Sequence, residues 1–286
     1  MATEVEGHAQ RPAGVLLYSA GDARHQGRAG PDRLPPRRPS LHGRTAATAN
    51  IDGPRPWLAG ARTLLGMDIS TASGPARAEV DAAPAGQGAS GGPEFLLVLT
   101  HGAGGGVASK DLLAAGRGGL AAGAVVARVL QPYRVRGARA PGSPERQNAA
   151  WLEVIGNLRA RYPGLPLVQG GRSNGARLAC RTAQAAGALA VVALAFPLHP
   201  PGKASDPGRS RAGELRAAAV PVLVINGERD PFGIPDPADA DTLIVLPGET
   251  HALSRHPEVI AAATTSWLRG VLNGAARLGL SESAAD

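Results

Sequence analysis

Residues 165–177 read Leu-Pro-Leu-Val-Gln-Gly-Gly-Arg-Ser-Asn-Gly-Ala-Arg, and this stretch decides the fold. An apolar run over 165–168 leads into glycines and a serine, and a small-residue helical stretch follows over 174–186. The pattern predicts a buried strand that turns sharply into a helix, with Ser173 at the turn. Glycines flank Ser173 because strand and helix come so close there that larger side chains would clash.

Similar apolar runs recur along the chain. They lie at residues 95–99, 124–129, 189–194, 220–225 and 242–246. Ala- and Leu-rich helical stretches alternate with them, at 109–122, 145–161, 174–186, 210–218 and 257–272. Continuous apolar runs are typical of parallel strands that are covered on both faces. We therefore predict an α/β fold with a doubly wound, mostly parallel sheet flanked by helices, which binds ligands beyond the carboxyl ends of its strands.

Composition narrows the class of protein. The chain has 286 residues, of which 43% are hydrophobic, so it can bury a sizeable core. Its single cysteine, Cys180, excludes a disulfide framework and a cysteine-based zinc site. The apolar runs fall short of the roughly 20 residues that a membrane helix needs, and no signal peptide is visible. We expect a soluble, cytoplasmic monomer or homodimer with no membrane partner, metal or organic cofactor.

The net charge of +7 is concentrated near the beginning of the chain. The first 66 residues hold nine arginines and five acidic residues, and include the proline-rich basic run 31–39. The rest is nearly balanced and shows no nucleic-acid-binding motif, so we expect no nucleic-acid partner. We predict a disordered basic extension over 1–66 and one domain over 67–286 that opens with an edge strand at 76–80. Our hypothesis is that Met67 is the natural start.

Two residues further along the chain suit Ser173 chemically. Asp230 follows the apolar run that ends at residue 225, and His251 follows the run that ends at 246. Parallel strands bring such ends to one edge of the sheet, here in the chain order Ser, Asp, His. Because a serine nucleophile needs a base and a group that orients the base, we predict Ser173, His251 and Asp230 in these three roles.

Other residues compete for these roles. Glu228 could orient the base, and His101 or His199 could act as the base. His199 lies in a proline-rich loop, where it either lines the cleft or is a partly buried residue of a rigid turn. Arg172 is one of several arginines near the site that could attract an anionic substrate, although arginine is commoner on a solvated face. His199 and Arg172 are therefore our candidate substrate-binding residues.

A glycine-rich loop follows the first strong strand, with Thr-His-Gly-Ala-Gly-Gly-Gly at residues 100–106. Such a loop can aim backbone N–H groups at an oxyanion, so we predict donors at Ala103 and Gly104 beside the N–H of Asn174. A phosphate loop is excluded because G-x-x-x-x-G-K-[ST] is absent. A dinucleotide site is disfavoured because no acidic ribose-binding residue follows at the end of the next strand.

Four segments together resemble a known family. They are residues 101–105, 170–177, 195–202 and 227–233. They are similar to the dienelactone-hydrolase-like α/β-hydrolases, a bacterial group related to a testis-expressed protein, and the resemblance covers about residues 68–275. It implies an α/β-hydrolase fold with Ser173, Asp230 and His251 as the triad. It implies no substrate, and some relatives serve as scaffolds.

The segment between two of the predicted strands bears on the substrate. Residues 195–219 must include a returning helix and are too few for a lid domain. We therefore expect an open cleft and a small acyl substrate, namely an ester, thioester or lactone, for a serine hydrolase. The alternative is a catalytically silent protein-interaction module that has kept the fold.

Overall fold

The computed structural model describes residues 16–19, 62–82, 92–203 and 206–277. Within these ranges nine strands form one sheet. The strands are β1 (Leu16–Ser19), β2 (Arg62–Ile69), β3 (Ala76–Ala82), β4 (Phe95–Thr100), β5 (Ala124–Leu130), β6 (Leu167–Arg172), β7 (Ala190–Leu194), β8 (Val222–Gly227) and β9 (Thr242–Leu246). The helices are α1 (Lys110–Ala121), α2 (Pro132–Val135), α3 (Pro144–Arg161), α4 (Asn174–Thr182), α5 (Ala212–Arg216) and α6 (Pro257–Arg277).

The strand order is β1-β9-β8-β7-β6-β4-β5-β3-β2. The six central strands, β5, β4, β6, β7, β8 and β9, run parallel to one another. The outer strands β1, β3 and β2 add antiparallel pairs. From β4 the chain goes to β5 on one side and then to β6 on the other, so the carboxyl ends of β4 and β6 border a crevice. The predicted doubly wound α/β fold is confirmed.

Helices cover both faces of the sheet. Successive residues of a strand point to opposite sides, so each apolar strand has two apolar faces to bury. On one face Leu96 of β4 belongs to a core cluster with Trp151 of α3. On the other face Leu97 clusters with Leu112 of α1 and Ile260 of α6. Every residue of β4 is buried. This double coverage is why the central strands are apolar throughout instead of alternating.

The structure differs from the sequence predictions in the first part of the chain. Leu16–Ser19 pairs with β9, and β2 begins at Arg62, so two segments of the predicted 1–66 extension belong to the sheet. The strand predicted at 76–80 is not an edge strand, because β3 pairs with β2 on one side and β5 on the other. The rest of the extension lies outside the described residues, so the domain division and the start at Met67 stay predictions.

No lid domain is inserted between β7 and β8. The described residues of this connection hold a three-residue 3-10 helix (Pro207–Arg209) and the short helix α5. The prediction of a lidless fold is confirmed. Among the helices in the described ranges, none is long and apolar enough to cross a lipid bilayer.

Candidate active site

Ser173 lies at the turn between β6 and α4 in a strained backbone conformation. Its φ of 53° and ψ of −116° are rarely adopted by L-residues. A Cβ atom on Gly171 or on Gly175 would lie 2.6 Å from the carbonyl oxygen of Thr100. The Ser173 N–H donates a 2.9 Å hydrogen bond to the carbonyl of Leu194. The two glycines therefore let the end of β4 pass close to the turn that presents the serine.

The side chains of Ser173, His251 and Asp230 form one continuous hydrogen-bonded row. Ser173 Oγ lies 2.9 Å from His251 Nε2, and His251 Nδ1 lies 2.8 Å from Asp230 Oδ2. An ionised carboxylate only accepts, so Nδ1 carries the proton and Nε2 accepts from the serine hydroxyl. The Asp230 side chain is fully buried, whereas 20% of His251 is exposed. The structure thus brings together the three residues that the sequence singled out.

Phe232 contacts both Asp230 and His251. Its N–H donates a 2.9 Å hydrogen bond to Asp230 Oδ1, the oxygen that does not contact the histidine. Its ring packs edge-on against His251, with the ring centroids 4.4 Å apart. The carboxylate is thereby fixed on both oxygens, and the imidazole is restricted in its orientation.

The loop that bears His251 is anchored by the buried residue Glu249. Its carboxylate accepts hydrogen bonds from the N–H groups of Ser254, Arg255 and His256, just before α6. Burial by itself would raise the pKa of Glu249, but the hydrogen bonds from Arg255, His256 and Ser254 together hold that pKa below its usual value. A charged carboxylate is also favoured at a helix N-terminus. The loop is therefore attached firmly to α6.

The glycine-rich loop after β4 packs directly against Ser173. A Cβ atom on Gly102 would lie 3.2 Å from the Ser173 Cβ. Among the described residues, no hydrogen bond uses the N–H of Ala103, Gly104 or Asn174. Asn174 is the first residue of α4, where the helix dipole adds partial positive charge. The predicted oxyanion donors therefore lie on two segments beside the serine and are free of protein acceptors.

Two side chains that follow β5 hold this loop in place. Tyr133 Oη donates a 2.8 Å hydrogen bond to the carbonyl oxygen of Ala103. Arg134 Nε donates a 2.9 Å hydrogen bond to the carbonyl oxygen of Gly105. Both acceptors are backbone atoms, so these contacts fix the course of the loop itself.

His101, a competitor for the role of base, also helps to hold the glycine-rich loop in place. Its Nε2 accepts a 3.0 Å hydrogen bond from the Gln131 N–H, and its Nδ1 donates to the Gly102 carbonyl at 2.8 Å. Burial lowers the pKa of His101 to about 4. A neutral ring whose two nitrogens are both engaged is not placed to take a proton from Ser173.

The remaining competitors lie on the loops after β7 and β8. Glu228 accepts a 2.8 Å hydrogen bond from the Gly248 N–H instead of contacting His251. His199 is buried, and its backbone N–H donates a 2.9 Å hydrogen bond to the carbonyl oxygen of Phe232. Its Nδ1 would lie 3.0 Å from a Cβ on Gly233. His199 thus packs against the loop that holds Asp230, and its contact with substrate stays a prediction.

Arg172 makes contacts that differ from the predicted role in binding substrate. Its Nε lies 2.6 Å from Asp111 Oδ2, and its Nη2 donates a 2.7 Å hydrogen bond to the carbonyl oxygen of His251. Two of its three guanidinium nitrogens are therefore engaged with the protein. Nearby, Arg177 is likewise paired with Glu214. These ion pairs give no support to an arginine cluster that attracts an anionic substrate.

Sequence analysis missed three residues that contact the site. Asp111 pairs with Arg172, Tyr133 braces the glycine-rich loop, and Gln147 Oε1 accepts a 2.7 Å hydrogen bond from Asn174 Nδ2. The available signal was weak. Tyr133 is one of only three tyrosines and lies just after a predicted strand. Asp111 and Gln147 are polar residues of helices, with nothing in the pattern to mark a partner.

This arrangement of fold and site defines a class of protein. A parallel α/β sheet presents a serine at a strand–helix turn, and loops after later strands supply histidine and aspartate, as in the α/β-hydrolases. Residues 93–249, more than half of the chain, match the family described as alpha/beta hydrolase domain. The chain belongs to the alpha/beta hydrolase family, and the resemblance inferred from its motifs is confirmed.

Solved structures share this fold. Est1E from Butyrivibrio proteoclasticus is 15% identical with a TM-score of 0.58, and the alignment covers 73% of this chain and 99% of that chain. XC6422 from Xanthomonas campestris, described as a serine hydrolase without lid, is 21% identical with a TM-score of 0.50 over 75% and 94%. An esterase from Pyrobaculum calidifontis is 20% identical with a TM-score of 0.52 over 74% and 85%. A search of the curated proteins finds no match to this chain.

Proposed function

We propose that this protein is a serine hydrolase that cleaves a small carboxylic ester, thioester or lactone through an acyl-enzyme. The observation on which the proposal rests is the hydrogen-bonded row from Ser173 Oγ through His251 to Asp230, with distances of 2.9 and 2.8 Å. The fold shared with the Pyrobaculum esterase and with XC6422, which is described as a serine hydrolase without lid, adds support.

In the first half-reaction Ser173 Oγ attacks the carbonyl carbon, and the hydroxyl proton passes to His251 Nε2. The carbonyl π electrons move onto oxygen, and the N–H groups of Asn174 and of Ala103 or Gly104 stabilise the resulting oxyanion. Asp230 holds the imidazole in the reactive tautomer and stabilises the imidazolium. The tetrahedral adduct then collapses, and the alkoxide or thiolate leaves with the proton from His251.

In the second half-reaction water attacks the acyl group on Ser173 and gives a proton to His251. Collapse of the second adduct returns that proton to Ser173 Oγ and releases the carboxylic acid. With a lactone the leaving hydroxyl remains attached to the acyl group, so the product is a hydroxy acid. Water is the only co-reactant, and every proton that His251 accepts is returned.

The size of the substrate follows from the connection between β7 and β8. Its described residues form only a 3-10 helix and the five-residue helix α5, so no inserted domain covers the serine. His251 keeps 20% of its side chain exposed. A site that is open to water at this edge of the sheet suits a small or water-soluble acyl compound better than a long lipid chain.

The test is covalent labelling of the full chain by a fluorophosphonate probe. Attack of Ser173 Oγ on phosphorus expels fluoride, and the reaction requires a serine activated by its base. We expect labelling of the parent and of Ser210→Ala, a control serine in the turn before α5, and none of Ser173→Ala or His251→Ala. Without the probe, the proteins that it labels should hydrolyse p-nitrophenyl acetate, and treatment with the probe should abolish that activity.

Two results would contradict the proposal. Labelling that persists in Ser173→Ala would place the reactive nucleophile elsewhere. A parent that is folded by circular dichroism but takes up no probe would favour the silent interaction module, and the search would then turn from substrates to partners.

A further inference from the structure

We propose that Arg172 is a positioning residue that sets the placement of His251 relative to Ser173, and that Asp111 neutralises it for this role. The inference rests on the proposed function. It replaces substrate binding, the role that the sequence suggested for this arginine. Its basis is a set of contacts that joins the three parts of the site through one side chain.

The first part of the argument is where the Arg172 side chain reaches. Its backbone ends β6 and is bonded directly to Ser173. Its Nε contacts Asp111 on α1 at 2.6 Å, and its Nη2 contacts the backbone carbonyl of His251 at 2.7 Å. The guanidinium is planar and rigid, so it fixes the directions of both donors at once. The nucleophile turn and the loop that bears the base are therefore linked by a single rigid group.

A third contact involves the glycine-rich loop. A Cβ atom on Gly102 would lie 3.2 Å from Arg172 Nη1 and equally close to the Ser173 Cβ. The remaining guanidinium nitrogen thus lies against the loop that bears the proposed oxyanion donors. Arg172 therefore joins the nucleophile turn, the loop that bears His251 and the glycine-rich loop, and its side-chain hydrogen bonds go to Asp111 and to the backbone of His251 rather than to Ser173 Oγ or the imidazole.

Charge explains why this link needs Asp111. The Asp111 side chain has no exposed surface and that of Arg172 is 17% exposed, so neither charge is well solvated. Asp111 also accepts a 2.9 Å hydrogen bond from the Leu112 N–H through its other oxygen. An unpaired cation next to His251 would oppose the imidazolium that forms in the reaction. Pairing with Asp111 offsets the repulsion between Arg172 and the imidazolium, while the hydrogen bond from Arg172 to the carbonyl of His251 is kept.

The placement of His251 matters because the proton moves along a short path. Nε2 and Ser173 Oγ are 2.9 Å apart, and displacement of a reacting group by about 1 Å can cost about 100-fold in rate. Glu249 anchors the loop on the α6 side. Among the described residues, Arg172 is the side chain that donates to the carbonyl of His251 itself.

The sharpest variant is Arg172→Lys. Lysine keeps the positive charge and can pair with Asp111, but one ammonium nitrogen cannot occupy both the Nε and the Nη2 positions. We expect a melting temperature close to that of the parent. We also expect the second-order rate of fluorophosphonate labelling to fall about tenfold, and kcat for p-nitrophenyl acetate to fall similarly at unchanged KM.

A second variant removes the link without leaving a buried unpaired carboxylate. Arg172→Gln combined with Asp111→Asn replaces the ion pair by two amides, since deleting only one partner of a buried pair is strongly destabilising. This double variant should lose at least as much labelling rate and kcat as Arg172→Lys. This variant keeps the inference testable if the lysine variant does not fold.

The matched control is Arg177→Gln. Arg177 lies four residues after Ser173, donates to both oxygens of Glu214 at 2.6 and 2.8 Å, and has a side chain that is 19% exposed. None of its side-chain hydrogen bonds involves the serine, the histidine or Asp230, and Glu214 retains Arg181 at 3.6 Å. We expect labelling within about twofold of the parent.

A second readout does not depend on turnover. The proton shared by His251 Nδ1 and Asp230 should give a far-downfield proton NMR resonance in the parent and in Arg177→Gln. We expect this resonance to shift or broaden in Arg172→Lys. An unchanged resonance together with an unchanged labelling rate in a folded Arg172→Lys overturns the inference, as does an equal loss in the Arg177 control.

The two proposals fail in different ways. If the parent is never labelled but its resonance is lost in Arg172→Lys, the proposed function is wrong and the positioning role stands. If the parent is labelled and Arg172→Lys matches it in rate and in resonance, the positioning role is wrong and the hydrolase proposal stands.

Discussion

The hydroxyl of Tyr133 donates a 2.8 Å hydrogen bond to the carbonyl oxygen of Ala103. This bond ties the short helix α2 to the glycine-rich loop that packs on Ser173. Burial raises the pKa of Tyr133 to about 12, so the hydroxyl stays protonated and able to donate across the usable pH range. The N–H of Ala103, one of the proposed oxyanion donors, is thereby held by a contact to the same residue.

Tyr133→Phe should lower kcat for p-nitrophenyl acetate about two- to twelvefold, the range that corresponds to one hydrogen bond of about 0.5–1.5 kcal/mol. KM should not change, because the loop acts on the oxyanion rather than on the bound ester. Tyr162→Phe, at the end of α3, is the control and should behave as the parent. A change confined to KM would contradict this role.

Alanine at either glycine beside the nucleophile should destabilise the protein. The new Cβ of Gly171→Ala or Gly175→Ala would lie 2.6 Å from the Thr100 carbonyl oxygen, which cannot move without disturbing β4. We expect a loss of about 2 kcal/mol or more in the free energy of unfolding, measured with urea. Gly156→Ala is the control, because apart from the adjoining backbone of α3 no atom of the described residues lies within 4 Å of its Cβ position. It should be stabilising by about 0.5–1 kcal/mol, and equal effects at the three sites would refute the close-approach argument.

Asp230→Asn should lower kcat about 10⁴-fold at little cost in KM. The amide can donate to His251 Nδ1 and so favours the tautomer whose Nε2 cannot accept the serine proton. Asp236→Asn is the matched control, since its carboxylate accepts a 2.9 Å hydrogen bond from the Ala238 N–H outside the site. The measurement is kcat and KM of both variants at steady state. Similar kcat values for the two would exclude Asp230 as the orienting residue.

His101 should make the protein less stable in mild acid. Its pKa falls from 6.5 to about 4 on burial, so between these values the unfolded chain holds a proton that the native protein does not. Stability therefore rises with pH across this window and is lost on acidification, by about 3 kcal/mol from pH 6.5 to pH 4. Urea denaturation at several pH values should show a flatter curve for His101→Gln. Parallel curves for the two proteins would contradict the assignment.

The sequence was sufficient to predict the parallel core and the three residues of the row. Apolar runs such as 95–99 identify strands buried on both faces, and parallel strands bring their carboxyl ends to one edge. Ser173, Asp230 and His251 could therefore be grouped without knowledge of any contact. The glycines beside Ser173 added a local signal, because only close backbone approach explains their positions.

Contacts between distant polar side chains could not be predicted in this way. Arg172 and Asp111 are 61 positions apart, and their pairing depends on how α1 packs beside β6. Composition and periodicity describe a residue's surroundings, not its individual partner. The sequence therefore indicated Arg172 as a substrate-binding candidate, whereas its Nε and Nη2 are engaged with Asp111 and with the carbonyl of His251.

The outer strands β1 and β2 were missed for a different reason. Leu16–Ser19 is four residues long and overlaps a short apolar island, 15–18, that is isolated from the other apolar runs, so its sequence does not distinguish a strand from a loop. Its place is decided by the open edge of β9 with which it pairs. A strand defined by its partner carries little signal of its own.

The pairing of β1 with β9 shields one edge of the sheet from other molecules. β1 covers the backbone N–H and C=O groups of β9 from Thr242 to Val245. A chain that began at Met67 would lack β1 and most of β2, and would present the edge of β9 as a template for a strand from another molecule. The position at which translation begins would then govern whether copies of this protein remain separate or join edge to edge and aggregate.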